Sequence, residues 1–371
     1  MGSRREAIFL LAAARNFNPA AAGRIESALG SLDALADCAE QELKAIGLPG
    51  GMTTRLIEVR EAVDPAEQLG KLAEQEIVMV AWGEPEYPEL LTELADAPVA
   101  LFCKGDVQLM RGHGIAIVGS RKCSERGRDA AGEFARELAG LGIPVVSGMA
   151  LGIDGAAHEG ALEAGGPTVA VLGSGVDVVY PPRHQELYER LCRHGLVLSE
   201  YLPGTEPRKE HFPQRNRIIS GLSKGTLVVE APMGSGALIT ARTANEQGRE
   251  VFAIPGGLRN PHTRGNNALI KAGQAKLTES VDDILVEFGL SRADLLEPRL
   301  PLDGDAGAPA APQVSDEERR LLELVSYEGS HVNDLVRKVG ITTPECISHL
   351  TLLEIKGLIS SASGGYYIRL K

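Results

Sequence analysis

From residue 77 onward the chain alternates short, continuous apolar runs with amphipathic stretches of helical length, and this rhythm restricts the fold more than any other feature. The runs are IVMVA (77–81), VALFCK (99–104), IAIVG (115–119), PVVSG (144–148), TVAVLG (168–173), LVLSEY (196–201), TLVVEA (226–231), EVFAIPG (250–256) and AKLT (275–278). Between most of them lie segments such as ERGRDAAGEFARELAGLG and GALITARTANEQGR, whose apolar residues recur at helical spacing. A strand that is apolar without alternation is covered on both faces, and crossover helices supply the cover. The expected class is therefore α/β, a doubly wound, mostly parallel sheet over residues 77–288, with ligands bound at the carboxyl ends of the strands. The 43 glycines and the low aromatic content of 4% suit many tight strand-to-helix turns.

The flanks read differently. Residues 1–65 predict a small helical domain, with Leu10, Leu11, Ile25, Leu29, Leu32, Leu35, Leu43, Ile46 and Ile57 as its core. Its AIGLPGG stretch (45–51) has two readings, a helix-hairpin-helix turn that offers N–H groups to phosphate, or a structural turn. Residues 289–314, rich in Pro, Ala and Gly and without periodicity, predict a flexible linker. Residues 315–371 predict three helices and a hairpin around Ser-Gly-Gly, the pattern of a winged helix.

The formal net charge of −12 argues against a uniformly basic nucleic-acid binder, but the charge is uneven. Residues 115–278 hold 19 Lys and Arg against 16 Asp and Glu, while 279–318 hold 11 acids against 2 bases. The five cysteines (Cys38, Cys103, Cys123, Cys192 and Cys346) are odd in number and show no CxxC spacing, which predicts a reduced, cytoplasmic protein without a zinc site. The opening MGSRREAIFLLAAARNF is too short in its apolar run to span a bilayer and has helical spacing, so a first helix of a soluble domain is expected, with no membrane partner.

Chemistry concentrates where the strands end. Gly119-Ser120-Arg121, Ser147-Gly148, Gly173-Ser174-Gly175 and Gly234-Ser235-Gly236 each follow an apolar run. Glycine admits close backbone approach, serine adds a hydroxyl, and the next helix offers free N–H donors, which together suit phosphate. A dinucleotide cofactor fits badly: no GxGxxG follows the first central strand, and Ser147-Gly148 stands where a ribose-binding acid is expected. No GxxxxGK[ST] occurs either, and no cofactor is expected. The segment 206–225 carries Arg208, Lys209, His211, Arg215, Arg217 and Lys224 within 17 positions, with Phe212 among them as a platform for a base. A solvated charged loop is the competing reading. Arg259, Arg264, Lys271 and Lys276, with Asn266 and Asn267, form a second basic stretch. Catalytic signals are thin. Glu200 and Glu230 could pair for acid–base work, and Asp154 with His158 could relay a proton or hold a metal. A helix cap and a structural histidine explain the latter two without a metal, and none is proposed.

On these motifs the chain resembles the DNA-processing protein A family, also called DprA or Smf. The carrying stretches are IAIVGSRKCSERG (115–127), SGMALGIDGAAHEGAL (147–162), VLGSGVDVVYPPRH (171–184), SEYLPGTEP (199–207), the long run 211–256, and NPHTRGNNALIKAGQAKL (260–277). The resemblance implies an extended Rossmann-like sheet and a homodimer that binds single-stranded DNA with little sequence preference. It further implies protection of incoming DNA in natural transformation and the loading of a RecA-type recombinase. The residues it points to are Gly119, Ser120, Arg121 and Lys122; Ser147 and Gly148; Phe212, Arg215, Asn216, Arg217 and Lys224; Gly234, Ser235 and Gly236; and Asn266. No catalytic residue is among them.

Two points of departure matter. The third helix expected in the winged domain, Thr343–Lys356, offers Glu345, His349, Glu354 and Lys356, which is poor material for phosphate and equally suits protein contact. The alternative function is a nucleotide-processing enzyme of the phosphoribohydrolase type, which resembles this chain at Pro232–Thr240 with a PGGxGTxxE pattern. Here Ala237 stands for that threonine and Thr240 for that glutamate, so the carboxylate such chemistry needs is missing.

Overall fold

The computed structural model describes residues 3–49, 51–296, 316–326, 330–339, 341–343, 359–362 and 366–369, with positions 346, 349, 350 and 353. Its compact first unit, Met1–Pro298, is built on a nine-stranded sheet. The strands are β1 (Val78–Ala81), β2 (Ala100–Gly105), β3 (Gly114–Val118), β4 (Val145–Ser147), β5 (Thr168–Val171), β6 (Leu196–Ser199), β7 (Ser223–Val228), β8 (Glu250–Ala253) and β9 (Lys276–Leu277). They lie in the order β1-β2-β6-β5-β4-β3-β7-β8-β9. From β6 to β9 all pairings are parallel, and β1–β2 and β2–β6 are antiparallel. The sheet is the doubly wound, mostly parallel, Rossmann-like architecture that the apolar runs predict.

The apolar runs reach beyond the ladders at their carboxyl ends. Leu172, Val229 and Ile254 lie past the last paired residue, yet their N–H groups still bond to Leu198 O (2.8 Å), Val118 O (3.1 Å) and Val228 O (3.1 Å). Both sheet faces are dry. One carries Val118, Val146, Val171, Leu198 and Val228 in a cluster with the helices His211–Gly221 and Gly236–Glu246, and the other carries Ile115, Ile117, Val145 and Leu227 under the helix Glu125–Gly140. The latter helix begins where Ser124 accepts a hydrogen bond from the Gly127 N–H, and it buries Ala131, Phe134, Ala135 and Leu138 on one face.

The helices between Arg4 and Glu74 start at caps legible in the sequence, Asn18 before Pro19 and Asp64 before Pro65. Their core is continuous with the sheet: Ile8, Leu10 and Leu11 share a cluster with Phe102, Leu172 and Val197, and Phe9 meets Phe102 edge to face at 6.3 Å. In the turn of residues 45–51, Arg24 donates to the carbonyls of Ile46 (3.0 Å) and Gly47 (3.1 Å).

The second unit, Arg299–Lys371, is described by itself. It contains the helices Asp316–Leu324 and Val332–Val339 and a three-stranded antiparallel sheet of β10 (Ser330–His331), β12 (Tyr366–Arg369) and β11 (Ile359–Ala362), in the order β10-β12-β11. Leu321, Val325, Leu335, Cys346, Leu350, Leu353 and Ile359 form its core. The strand β10 adds a third member to the expected hairpin. Much of the expected third helix and the Ser-Gly-Gly turn lie outside the described residues, as do residues 297–314 of the expected linker; its first part contains a short helix, Arg292–Leu296. Among the described residues no helix is long and apolar enough to cross a membrane.

Candidate nucleic-acid interface

The chain leaves β3 toward β4 on one side of the sheet, while β7 lies on the other side of β3. Between β3 and β7 the winding therefore reverses, and a crevice opens beyond the strand ends. The loop after β3 (Gly119–Lys122) and the loop after β7 (Glu230–Ser235) meet there. The Ser120 N–H donates to the Glu230 carbonyl at 2.7 Å, and the Lys122 N–H donates to the Ser120 hydroxyl at 3.1 Å. Gly119 is pressed against Ile153, whose side chain occupies the space a Cβ would take. Glu230 points the other way and accepts from Ser124 N (2.8 Å) and Ser124 Oγ (2.6 Å), fixing the start of the following helix.

A cavity of about 570 Å³ fills this crevice. Gly119, Ser120, Arg121 and Lys122 line one side of it, and Ser235 and Gly236, at the N-terminus of the helix Gly236–Glu246, line another. The third wall is the helix His211–Gly221, which presents Phe212, Arg215, Asn216 and Ile219 to the cavity. These are the i, i+3, i+4 and i+7 positions of one helical face. Arg121 and Lys122 are exposed and form no ion pair with any described residue. The Arg121 guanidinium stands 5.1 Å from the centre of the Phe212 ring, which holds it in place without neutralising it. Tyr180 packs on Phe212 at 5.5 Å, so an aromatic pair borders the cationic pocket. Unpaired cations beside a helix N-terminus suit anions.

Two buried charges support the wall. Arg215 is 3% exposed and donates to the carbonyls of Gly148 (2.8 Å) and Val171, at the ends of β4 and β5. Burial pulls its guanidinium down to about 10, partly offset by Asp154. Asp154 is the carboxylate in the cavity lining. Burial pushes it up to about 6, against the pull of Arg215, the N–H groups of Ala150 and Gly148, and Arg121. His158 faces elsewhere: its Nδ1 lies 2.8 Å from Thr168 Oγ1, and burial pulls it down to about 3. Among the described residues no three His, Cys, Asp or Glu side chains are grouped to hold a metal.

Other residues singled out in the sequence lie apart from the lining. Ser147 is buried beneath it and donates to Ile117 O at 2.6 Å, and Gly148 is the carbonyl under Arg215. Gly234 takes φ +80° in the turn before Ser235. Asn266 is fully buried. Its Oδ1 accepts from Ala231 N (2.8 Å), and its Nδ2 donates to Val228 O (2.9 Å), Val229 O (3.0 Å) and Ile254 O (3.0 Å), which pins the ends of β7 and β8. Lys224 sits at the amino end of β7, where Ser223 pairs with Gly114, and so at the opposite edge of the sheet. Arg217 projects from the other side of its helix, pairs with Glu200, approaches Asp96 at 3.5 Å, and lines a separate cavity of about 430 Å³ beside Arg15 and Tyr201. Glu200 and Glu230 are thus committed to different partners and form no acid–base pair. Helical spacing would have separated Arg217 from Phe212, Arg215 and Asn216; Tyr180 carries no spacing signal and becomes visible only through its contact with Phe212.

Fold and cavity together define a protein of the doubly wound α/β class, with a cavity lined by cationic side chains at the winding reversal. Residues 78–289 match the family model of DNA recombination-mediator protein A, and residues 305–365 match the DprA winged helix domain. Protein Smf of Escherichia coli (strain K12) is 41% identical over 288 residues, which cover 77% of this chain and 75% of that protein. The X-ray structure of DNA processing protein A from Streptococcus pneumoniae superposes with a TM-score of 0.68 at 37% identity, covering 77% of this chain and 99% of that one. A structure from Helicobacter pylori, described as concerning the single-stranded DNA binding mode of DNA processing protein A, gives 0.52 at 31% identity over 57% of this chain and 95% of that one. The chain belongs to the DNA recombination-mediator protein A family, the DprA/Smf proteins.

Proposed function

We propose that the chain binds single-stranded DNA at the β3–β7 crevice and delivers it to a RecA-type recombinase as a cytoplasmic homodimer. In this role it protects DNA taken up during natural transformation. The observation that carries the DNA reading is Arg121: an exposed, unpaired guanidinium held against Phe212 at the mouth of a cavity that a helix N-terminus also faces. Backbone phosphates occupy the seat formed by Arg121, Lys122 and the Gly236 N–H, and a base stacks at Phe212. The site residues that fit this role are Gly119, Ser120, Arg121, Lys122, Phe212, Asn216, Ser235 and Gly236. Ser147, Gly148, Arg215 and Asn266 hold the strand ends in place.

Binding is favoured over base-releasing chemistry by the composition of the wall. Ala237 and Thr240 line the cavity where the hydrolase pattern has a threonine and a glutamate. Among the described lining residues the one carboxylate, Asp154, is committed to the 148–150 loop. The test is a salt titration of wild-type affinity for an oligothymidylate and for duplex DNA. Tighter single-strand binding with a steep salt slope is expected. Equal, weak binding of both, or release of free base from nucleoside monophosphates, would overturn the proposal.

A further inference from the structure

The rim of the cavity carries exposed apolar side chains that neither the core nor a phosphate seat requires. Tyr180 is 39% exposed on its contact with Phe212. Across the crevice, Met233 is 66% exposed between Pro232 and Ser235, two residues of the same cavity wall that it flanks. Leu258 is 94% exposed on the neighbouring loop after β8, three residues before Pro261, which also lines the cavity. Scattered apolar side chains on a surface need no explanation, but each of these packs on, or lies close along the chain to, a residue that lines the same polar cavity. Their neighbours Arg259 and Arg264 are exposed cations.

We infer that Tyr180, Met233 and Leu258 form a base-receiving rim that sets the preference for unpaired strands. This rests on the single-strand reading above and assigns its selectivity. Phosphate is common to single strands and duplexes, so the Arg121–Lys122 seat by itself discriminates little between them. Bases of a single strand can turn out of the backbone and lie against the Phe212–Tyr180 pair and the two aliphatic side chains opposite. Paired bases face each other inside the duplex and are denied that surface. Such contacts read no hydrogen-bonding edge, so they distinguish pairing state and not sequence.

The test compares Tyr180→Ala and the double variant Met233→Ser/Leu258→Ser with wild type and Arg121→Ala, on a labelled oligothymidylate and a hairpin duplex across a salt series. All three rim positions are exposed, so these variants keep the core intact. Each rim variant is expected to lose about tenfold in single-strand affinity, with duplex affinity and the salt slope unchanged. Arg121→Ala is expected to weaken both ligands and flatten the slope. Unchanged single-strand affinity, an equal loss on both ligands, or a flatter slope in the rim variants would overturn the rim. If wild type shows no single-strand preference, the underlying DNA reading falls with it. If wild type and Arg121→Ala behave as expected and the rim variants do not, the rim alone falls.

Discussion

Gly148 and Arg215 compete for the same volume: a Cβ built on Gly148 would stand 2.6 Å from Arg215 Nη2, while the Gly148 carbonyl accepts from Nη1 at 2.8 Å. The glycine is bare because the guanidinium fills its place. The expected outcome for Arg215→Ala is a loss of roughly 3 kcal/mol in urea unfolding, since two strand-end carbonyls and Asp154 lose their buried partner. Gly148→Ala is expected to disturb the same contact from the other side and to lower the unfolding midpoint as well.

Arg121→Ala and Phe212→Ala separate charge from stacking. The first is expected to reduce the slope of log affinity against log salt by about 1, with weaker binding to every oligonucleotide sequence. The second removes the ring and leaves the cation, so affinity falls by about tenfold at a nearly unchanged slope. Fluorescence anisotropy over a salt series measures both.

Asp154 and His158 oppose each other in the pH dependence of stability. Asp154 is raised from 3.8 to about 6 in the folded protein, so between these values the folded state holds a proton that the unfolded state has lost. Stability contributed by this group is present at low pH and is lost as pH rises. His158 is lowered from 6.5 to about 3, so between those values the unfolded state holds the extra proton. Its contribution is present above 6.5 and is lost as pH falls. Between pH values of about 4 and 6 the two slopes, each on the order of 1.4 kcal/mol per pH unit, nearly cancel. Asp154→Asn is therefore expected to make stability fall more steeply toward acid than in wild type, and His158→Asn to make it rise toward acid. Parallel profiles for wild type and both variants, from urea unfolding at several pH values, would sink this account.

Asn266→Ala tests a residue whose burial makes it a pin for the strand ends. Four backbone groups lose their hydrogen bond to the amide, with Val228 O keeping the Ile254 N–H, and a loss of about 2–4 kcal/mol is expected. Affinity for single-stranded DNA, corrected for the folded fraction, is expected to stay at the wild-type value.

Lys224→Ala and Arg217→Ala are expected to leave the salt slope of binding unchanged. Lys224 lies at the amino end of β7, a strand length from the crevice, and Arg217 is engaged with Glu200. Arg217→Ala is expected to lower thermal stability instead, because Glu200 is left half-buried without its cation.

The strands were legible because each apolar run is buried on both faces, and composition records that directly. Their order was not: nothing in the residues states that β7 lies beside β3, and it is this adjacency that brings Arg121 to Ser235. Within the basic segment, the spacing of Phe212, Arg215 and Asn216 marks one helical face, but only once the segment is known to be a helix; treated as a charged loop, it places Arg217 and Lys224 in the same group. Asn266 looked like a ligand for phosphate because an amide on a basic stretch suits one. Its four backbone partners come from the end of β7, the loop beyond it and the residue after β8, a set fixed by tertiary structure alone.

The edge-to-face contact of Phe9 with Phe102 bears on where the chain can be divided. A cut before β1 follows the change of rhythm in the sequence, yet it strips Ile8, Leu10 and Leu11 from the cluster around Phe102 and Val197. The excised sheet would carry a freshly bared apolar end, and the released helices would keep half a core. A shortened chain beginning at the sheet would be prone to self-association for reasons unrelated to DNA, so an oligomer seen in such a fragment would say little about the intact molecule.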